Sequence, residues 1–220
     1  MVHFKRNIAR LHYITQATPS RSLLDQVQMV IEGGIQWVQF RLKSAPDEIF
    51  REQAMACLDV AKRHPCTFIV NDRVHLAKEI DADGVHIGKE DISPRSAREI
   101  LGPEKIIGCT ANTLDDIIQL SGQPIDYIGL GPFRFTSTKE KLSPILGLAG
   151  YQKITKEVLD RNISIPIIAI GGIQFEDIEP LFQTGIQGIA VSGLISNSSQ
   201  PSEDCRDLLK QIEVQSCQIP

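Results

Sequence analysis

Short apolar runs rich in β-branched residues recur along this chain, separated by longer stretches whose apolar positions repeat at helical spacing. The runs lie at 11–15, 37–40, 67–70, 84–87, 105–109, 127–130, 166–170 and 188–191. Each is too short for a helix, and together they read as buried parallel strands. After the first, Leu23, Leu24, Val27, Val30 and Ile31 mark one helical face, and Gly33-Gly34 supplies a stop. A second periodic stretch covers 47–63 and ends before Pro65; further helices are expected over 94–101, 113–120, 150–161, 175–183 and 204–214. Strand then helix, eight times over at about 25 residues per unit, predicts an α/β fold. The expected architecture is a single (β/α)8 TIM barrel over residues 1–220, with a tail that frays beyond about 214. An open doubly wound sheet would carry a GxGxxG turn after its first strand. Here that strand runs into Thr15-Gln16-Ala17-Thr18-Pro19, which contains no glycine. The closed barrel is favoured.

Composition narrows the partners. A chain of 220 residues, 42% hydrophobic and 23% charged, buries a sizeable core without a disulfide or metal staple. Its net charge of −4, from 23 basic and 27 acidic residues, offers no basic surplus for nucleic acid or an anionic membrane. No stretch reaches 18 uninterrupted apolar residues, and the polar, basic start over 1–10 lacks the apolar core of a secretory signal. The five cysteines are scattered and never form a CxxC pair. That usage points to free thiols in a reducing cytoplasm, and away from a disulfide framework, a zinc site or a catalytic cysteine. Homo-oligomer formation is left open.

In such a barrel the chemistry sits at the C-terminal ends of the strands. Strict alternation past the second run places Gln39, Arg41 and Lys43 on the inner face and Val38, Phe40 and Leu42 toward the helices. Three long polar side chains there suit a polar ligand, the alternative being an ionic layer that plugs the barrel. The third run ends in Asn71-Asp72-Arg73, and Asp91 follows the fourth. Asp72 can cap a helix. It can equally share a Mg²⁺ with Asp91 from the adjacent strand, leaving the ion its waters and substrate phosphates. His86 lies within its strand and reads as a hydrogen-bonded wall residue. The fifth run offers Thr110 and Asn112 at the rim. The longest connection, 131–149, contains Thr136-Ser137-Thr138-Lys139, a plausible anion cradle or simply a solvated loop. Gly171-Gly172 and Val191-Ser192 end the last two strands, where small residues let backbone amides approach a phosphate or merely permit tight turns. A metal-bound diphosphate on one side and a monophosphate on the other would suit an enzyme that joins two phosphorylated molecules and releases pyrophosphate.

These residues, in order, resemble the thiamine-phosphate synthase family over nearly the whole chain. The resemblance is carried by Tyr13-Ile14-Thr15, Gln39-Phe40-Arg41-Leu42-Lys43, Asn71-Asp72-Arg73, Asp83-Gly84-Val85-His86-Ile87-Gly88 and Asp91. It continues through Tyr127-Ile128-Gly129-Leu130-Gly131-Pro132, Thr136-Ser137-Thr138-Lys139, Ile170-Gly171-Gly172-Ile173 and Ala190-Val191-Ser192. It implies transfer of a 4-amino-2-methylpyrimidin-5-ylmethyl group from its diphosphate to a thiazole phosphate nitrogen, by a dissociative route with Mg²⁺ as cofactor. It implies that Asp72 and Asp91 hold the Mg²⁺. Gln39, Arg41, Lys43, Asn71, Thr110 and Lys139 would contact the pyrimidine diphosphate, with Arg41, Lys43, Lys139 and Thr110 catalytic. Thr136, Ser137, Thr138, Gly172, Val191 and Ser192 would hold the thiazole phosphate. The chain departs from the family's pattern at Thr110 and Asn112, where a serine and a histidine are common, and at Arg134-Phe135, where Phe-Pro is common. The rivals are a thiazole tautomerase paralogue, a non-catalytic barrel that binds phosphate ligands, and a sugar-phosphate isomerase. Retention of Asp72 and Asp91 favours the synthase over the first, and the third would need an acid–base pair that the strand ends do not offer.

Overall fold

A computed structural model describes residues 7–135 and 144–216. Eight strands close in sequence order into a barrel in which every neighbouring pair is parallel, the eighth returning to the first. They are β1 (Leu11–Ile14), β2 (Trp37–Phe40), β3 (Thr67–Asn71), β4 (Gly84–Ile87), β5 (Ile106–Ala111), β6 (Tyr127–Leu130), β7 (Ile167–Ile170) and β8 (Gly188–Val191). The helices are α1 (Leu23–Glu32), α2 (Asp47–Ala61), α3 (Val74–Glu79), α4 (Pro94–Leu101), α5 (Leu114–Ser121), α6 (Gly147–Asp160), α7 (Ile178–Phe182), α8 (Gly193–Ser196) and α9 (Pro201–Ser216). The expected barrel is present. Among the described residues no helix is long and apolar enough to cross a membrane.

Local signals start the helices where the sequence puts them. Ser22 and Asp25 form a reciprocal capping box on α1, as Thr113 and Asp116 do on α5, and Ser93 caps α4 ahead of Pro94. Three helices depart most from expectation. Helix α6 starts at Gly147, three residues early, because the main chain of Leu146 and Gly147 is already tied to Pro132 and Phe133. The 175–183 stretch splits into a 3-10 turn, Phe175–Asp177, and the short α7. Helix α9 spans 201–216, starting three residues before the expected 204; residues 217–220 lie outside the described set.

Alternation along the strands sorts the core in two. Outward side chains such as Val38, Phe40, Phe68, Val70 and Val85 pack beneath the helices in one large cluster. Inward ones, Ile14, Trp37, Ile69, Tyr127 and Ile168, fill the barrel itself. The interior is aromatic: His12 stacks on Trp37 at 4.2 Å between ring centroids, and Tyr127 meets both edge-on. Burial pushes the His12 imidazole down to about 3, so it is neutral, its Nε2–H donating to the Ala9 carbonyl at 2.9 Å. Room for Tyr127 comes from Gly108 on the neighbouring strand, where a Cβ would stand 2.1 Å from the phenol ring. The floor under the C-terminal rim is therefore packed and rigid.

Candidate active site

At the ends of β3 and β4 two carboxylates meet. Asp72 has a left-handed backbone, φ +66°, a strained conformation for a residue with a side chain. It does not cap α3, whose N-terminal position is Arg73 and carries no side-chain cap. Instead its carboxyl lies close enough to that of Asp91 for the two acids to act on each other. Burial first, then the charge of Asp91, push the Asp72 carboxyl up to about 6, against the lowering pull of Lys43 and Arg41. Asp91 is steadied by the Gly88 amide, which donates to Oδ2 at 2.6 Å. Two neighbouring carboxyls of like charge are relieved by a cation that both can reach.

Cations flank the pair. Gln39 is buried on the inner face of β2. Arg41 and Lys43 follow beyond the strand's end, Lys43 in an exposed turn, so alternation alone does not place the lysine; its charge nonetheless reaches Asp72. Two buttresses that sequence reasoning missed hold this corner. The fully buried Thr15 hydroxyl accepts from the Arg41 amide at 2.8 Å. Arg73 pairs with Asp47 at 2.5 Å, donates to the Ala45 carbonyl and lies over the Phe50 ring, which pins the β2–α2 turn against β3.

A hydrogen-bonded chain crosses the floor. The Gln39 side chain acts on the Tyr127 phenol. His86 Nδ1 lies 3.0 Å from the same phenol oxygen and His86 Nε2 lies 3.0 Å from Thr110 Oγ1. Burial keeps Tyr127 protonated, and His86 bridges its phenol to the Thr110 hydroxyl, one ring nitrogen to each. His86 is the wall histidine that its position in mid-strand implies, and the Cβ-less Gly129 makes room for its ring. Thr110 and Asp91 border one cleft of about 390 Å³. Asn112, directly after β5, is buried, and its side-chain amide donates to the Gly131 carbonyl.

On the far side of the ring stand β7 and β8, four strands from β3 and β4. Gly171 and Gly172 have φ +102° and +68°, and Cβ atoms there would meet Pro132 and Arg134 at 2.8 Å. These glycines thus serve a left-handed turn tucked against the start of the β6–α6 connection. Among the described residues Ser192 Oγ is buried with no hydrogen-bond partner, which is costly for a hydroxyl. The Val191 side chain points into the outer core, which leaves only its main chain for a ligand. Asn71 ends β3 half-buried. Thr136, Ser137, Thr138 and Lys139 lie outside the described residues.

Whether a divalent ion suits the Asp72–Asp91 pair follows from its donor set. Among the described residues no group of three or more His, Cys, Asp or Glu side chains is placed to hold a metal. Two carboxyl groups with the rest of the shell open are nonetheless what Mg²⁺ takes when waters and substrate phosphates complete it. The residues fit.

A family profile described as thiamine monophosphate synthase matches residues 11–195. The chain is 45% identical over 203 residues to a thiamine-phosphate synthase from Flavobacterium psychrophilum, covering 92% of this chain and 98% of the relative. It is 47% identical over 200 residues to one from Phocaeicola vulgatus, covering 90% and 96%. The solved thiamine phosphate pyrophosphorylase from Pyrococcus furiosus superposes with a TM-score of 0.81 at 30% identity, over 94% of this chain and 96% of that one. With the match running through β1 to α8, the chain belongs to the thiamine monophosphate synthase family and is a transferase.

Proposed function

We propose that the protein condenses a pyrimidinylmethyl diphosphate with a thiazole phosphate, releasing pyrophosphate and thiamine phosphate. The observation that carries this reading is the Asp72–Asp91 pair under Arg41 and Lys43. Held by those two carboxylates, Mg²⁺ would supply Lewis-acid neutralisation of the leaving diphosphate. The chain's own residues do the rest. Arg41 and Lys43 add positive charge at the oxygens where it is needed as the C–O bond breaks and its electron pair departs with diphosphate. Gln39 and Thr110, tied together through Tyr127 and His86, orient the pyrimidine end. The Gly172 turn and Ser192 hold the thiazole phosphate across the ring, so its nitrogen faces the methylene carbon and forms the C–N bond. Asn71 would add a contact to the diphosphate, Val191 a main-chain contact to the monophosphate, and Lys139 with Thr136, Ser137 and Thr138 the remaining anion contacts. No strong base is required, which agrees with a floor histidine committed to hydrogen bonds on both nitrogens.

The reading includes one barrel domain working on small phosphorylated substrates in the cytoplasm; the free thiols Cys57, Cys66, Cys109 and Cys205 support a reducing compartment. The test mixes protein, both substrates and Mg²⁺ and follows pyrophosphate and thiamine phosphate, with EDTA as control. Equal release of both products, abolished by EDTA and reduced about 10²-fold or more by Asp72→Ala or Asp91→Ala, is expected. Turnover without pyrophosphate would favour the tautomerase reading, and full activity in both variants would remove the metal assignment.

A further inference from the structure

The described part of the β6–α6 connection, residues 131–135, is fastened to β7 by more than backbone. Phe133 and Arg134 donate their amides to the Ile170 and Gly171 carbonyls at 2.9 and 2.8 Å. The Arg134 guanidinium then forks around Asp177, Nη1 at 2.5 Å and Nη2 at 2.7 Å from its two oxygens, while Nη1 also donates to the Gly172 carbonyl at 3.2 Å. Asp177 is 8% exposed and accepts a third bond, from the Gln174 amide at 2.8 Å. The guanidinium is itself 44% exposed, so what this pair supplies is direction: a bidentate fork on a buried carboxylate.

This clamp acts on the Gly172 turn itself. Across a planar trans peptide the carbonyl and the following amide point in opposite directions. Holding the Gly172 carbonyl toward Arg134 therefore fixes where the Ile173 amide points. Just past the next strand in the ring, β8, lies the Ser192 hydroxyl, buried and with no partner among the described residues. The geometry points to Arg134 and Asp177 as positioning residues for the thiazole-phosphate subsite: they hold the turn whose amides, with Ser192, receive the phosphate. The assignment rests on the function proposed above and extends it to two residues outside the expected ligand set.

The experiment compares Arg134→Ala, Arg134→Lys and Asp177→Asn with the parent enzyme, measuring the KM for each substrate, kcat and the melting temperature. Arg134→Ala should raise the KM for thiazole phosphate by about tenfold or more, the scale expected for a lost charge-assisted bond, and leave that for the pyrimidine diphosphate within about twofold. Arg134→Lys should fall between, since an ammonium cannot fork, and Asp177→Asn should follow Arg134→Ala. Should Arg134→Ala fail to fold, the other two variants carry the same split. An unchanged KM for thiazole phosphate, or both KM values rising together with a falling melting temperature, would overturn the assignment. Absence of pyrophosphate release by the parent enzyme would instead refute the function on which it rests.

Discussion

Asp72 is the residue on which the electrostatics turn. Its carboxyl is raised from 3.8 to about 6 by burial and by Asp91. A carboxyl whose folded pKa exceeds its unfolded value stabilises the fold while protonated. That contribution is present below about pH 4 and lost as pH rises through about 6. In the absence of divalent cation, Asp72→Asn should therefore raise the melting temperature at pH 7.5, by about 3 °C, and leave it nearly unchanged at pH 4. Adding Mg²⁺ at pH 7.5 should raise the melting temperature of the parent protein and not that of the variant. Differential scanning calorimetry at the two pH values reads both effects. A variant that melts lower than the parent at pH 7.5 without metal would contradict the like-charge account.

At the scale of elements, the site depends on what neighbouring strands hand to one another. Tyr127 on β6, His86 on β4 and Thr110 on β5 form one hydrogen-bonded chain, with Gln39 on β2 acting on its phenol end. Its output is the placement of the Thr110 hydroxyl. Thr110→Val removes that output, and Tyr127→Phe removes its control, so the two losses should not add. Steady-state kinetics on the double variant should give a kcat/KM within about threefold of Thr110→Val alone, whereas fully additive losses would show that the phenol acts independently. Period and spacing in the sequence carry the faces of these strands: Trp37 and Gln39 inward and Val38 and Phe40 outward stand as alternation requires. They do not carry partners. Thr110 and Asn112 look alike as polar residues near a strand end, yet one meets His86 and the other closes on Gly131. Helices α3 and α8 were missed because six and four residues are too few to display a helical period. Arg134 and Asp177, 43 positions apart, have no signal that pairs them.

For the molecule as a whole, closure of the barrel is what makes the site. β3 and β4 stand opposite β7 and β8 only because β8 returns to β1. The eightfold recurrence of strand and helix made this architecture legible, and the rule that barrel chemistry gathers at strand C-termini made the rim residues candidates. The central claim is that Asp72 and Asp91 together seat a divalent cation with the leaving diphosphate. Its most direct measurement is the anomalous scattering of crystals grown with Mn²⁺ and pyrophosphate. The account predicts one strong peak within about 2.3 Å of an oxygen from each carboxylate, with pyrophosphate completing its shell beside Arg41 and Lys43. A peak elsewhere on the rim, away from the two aspartates, would contradict it.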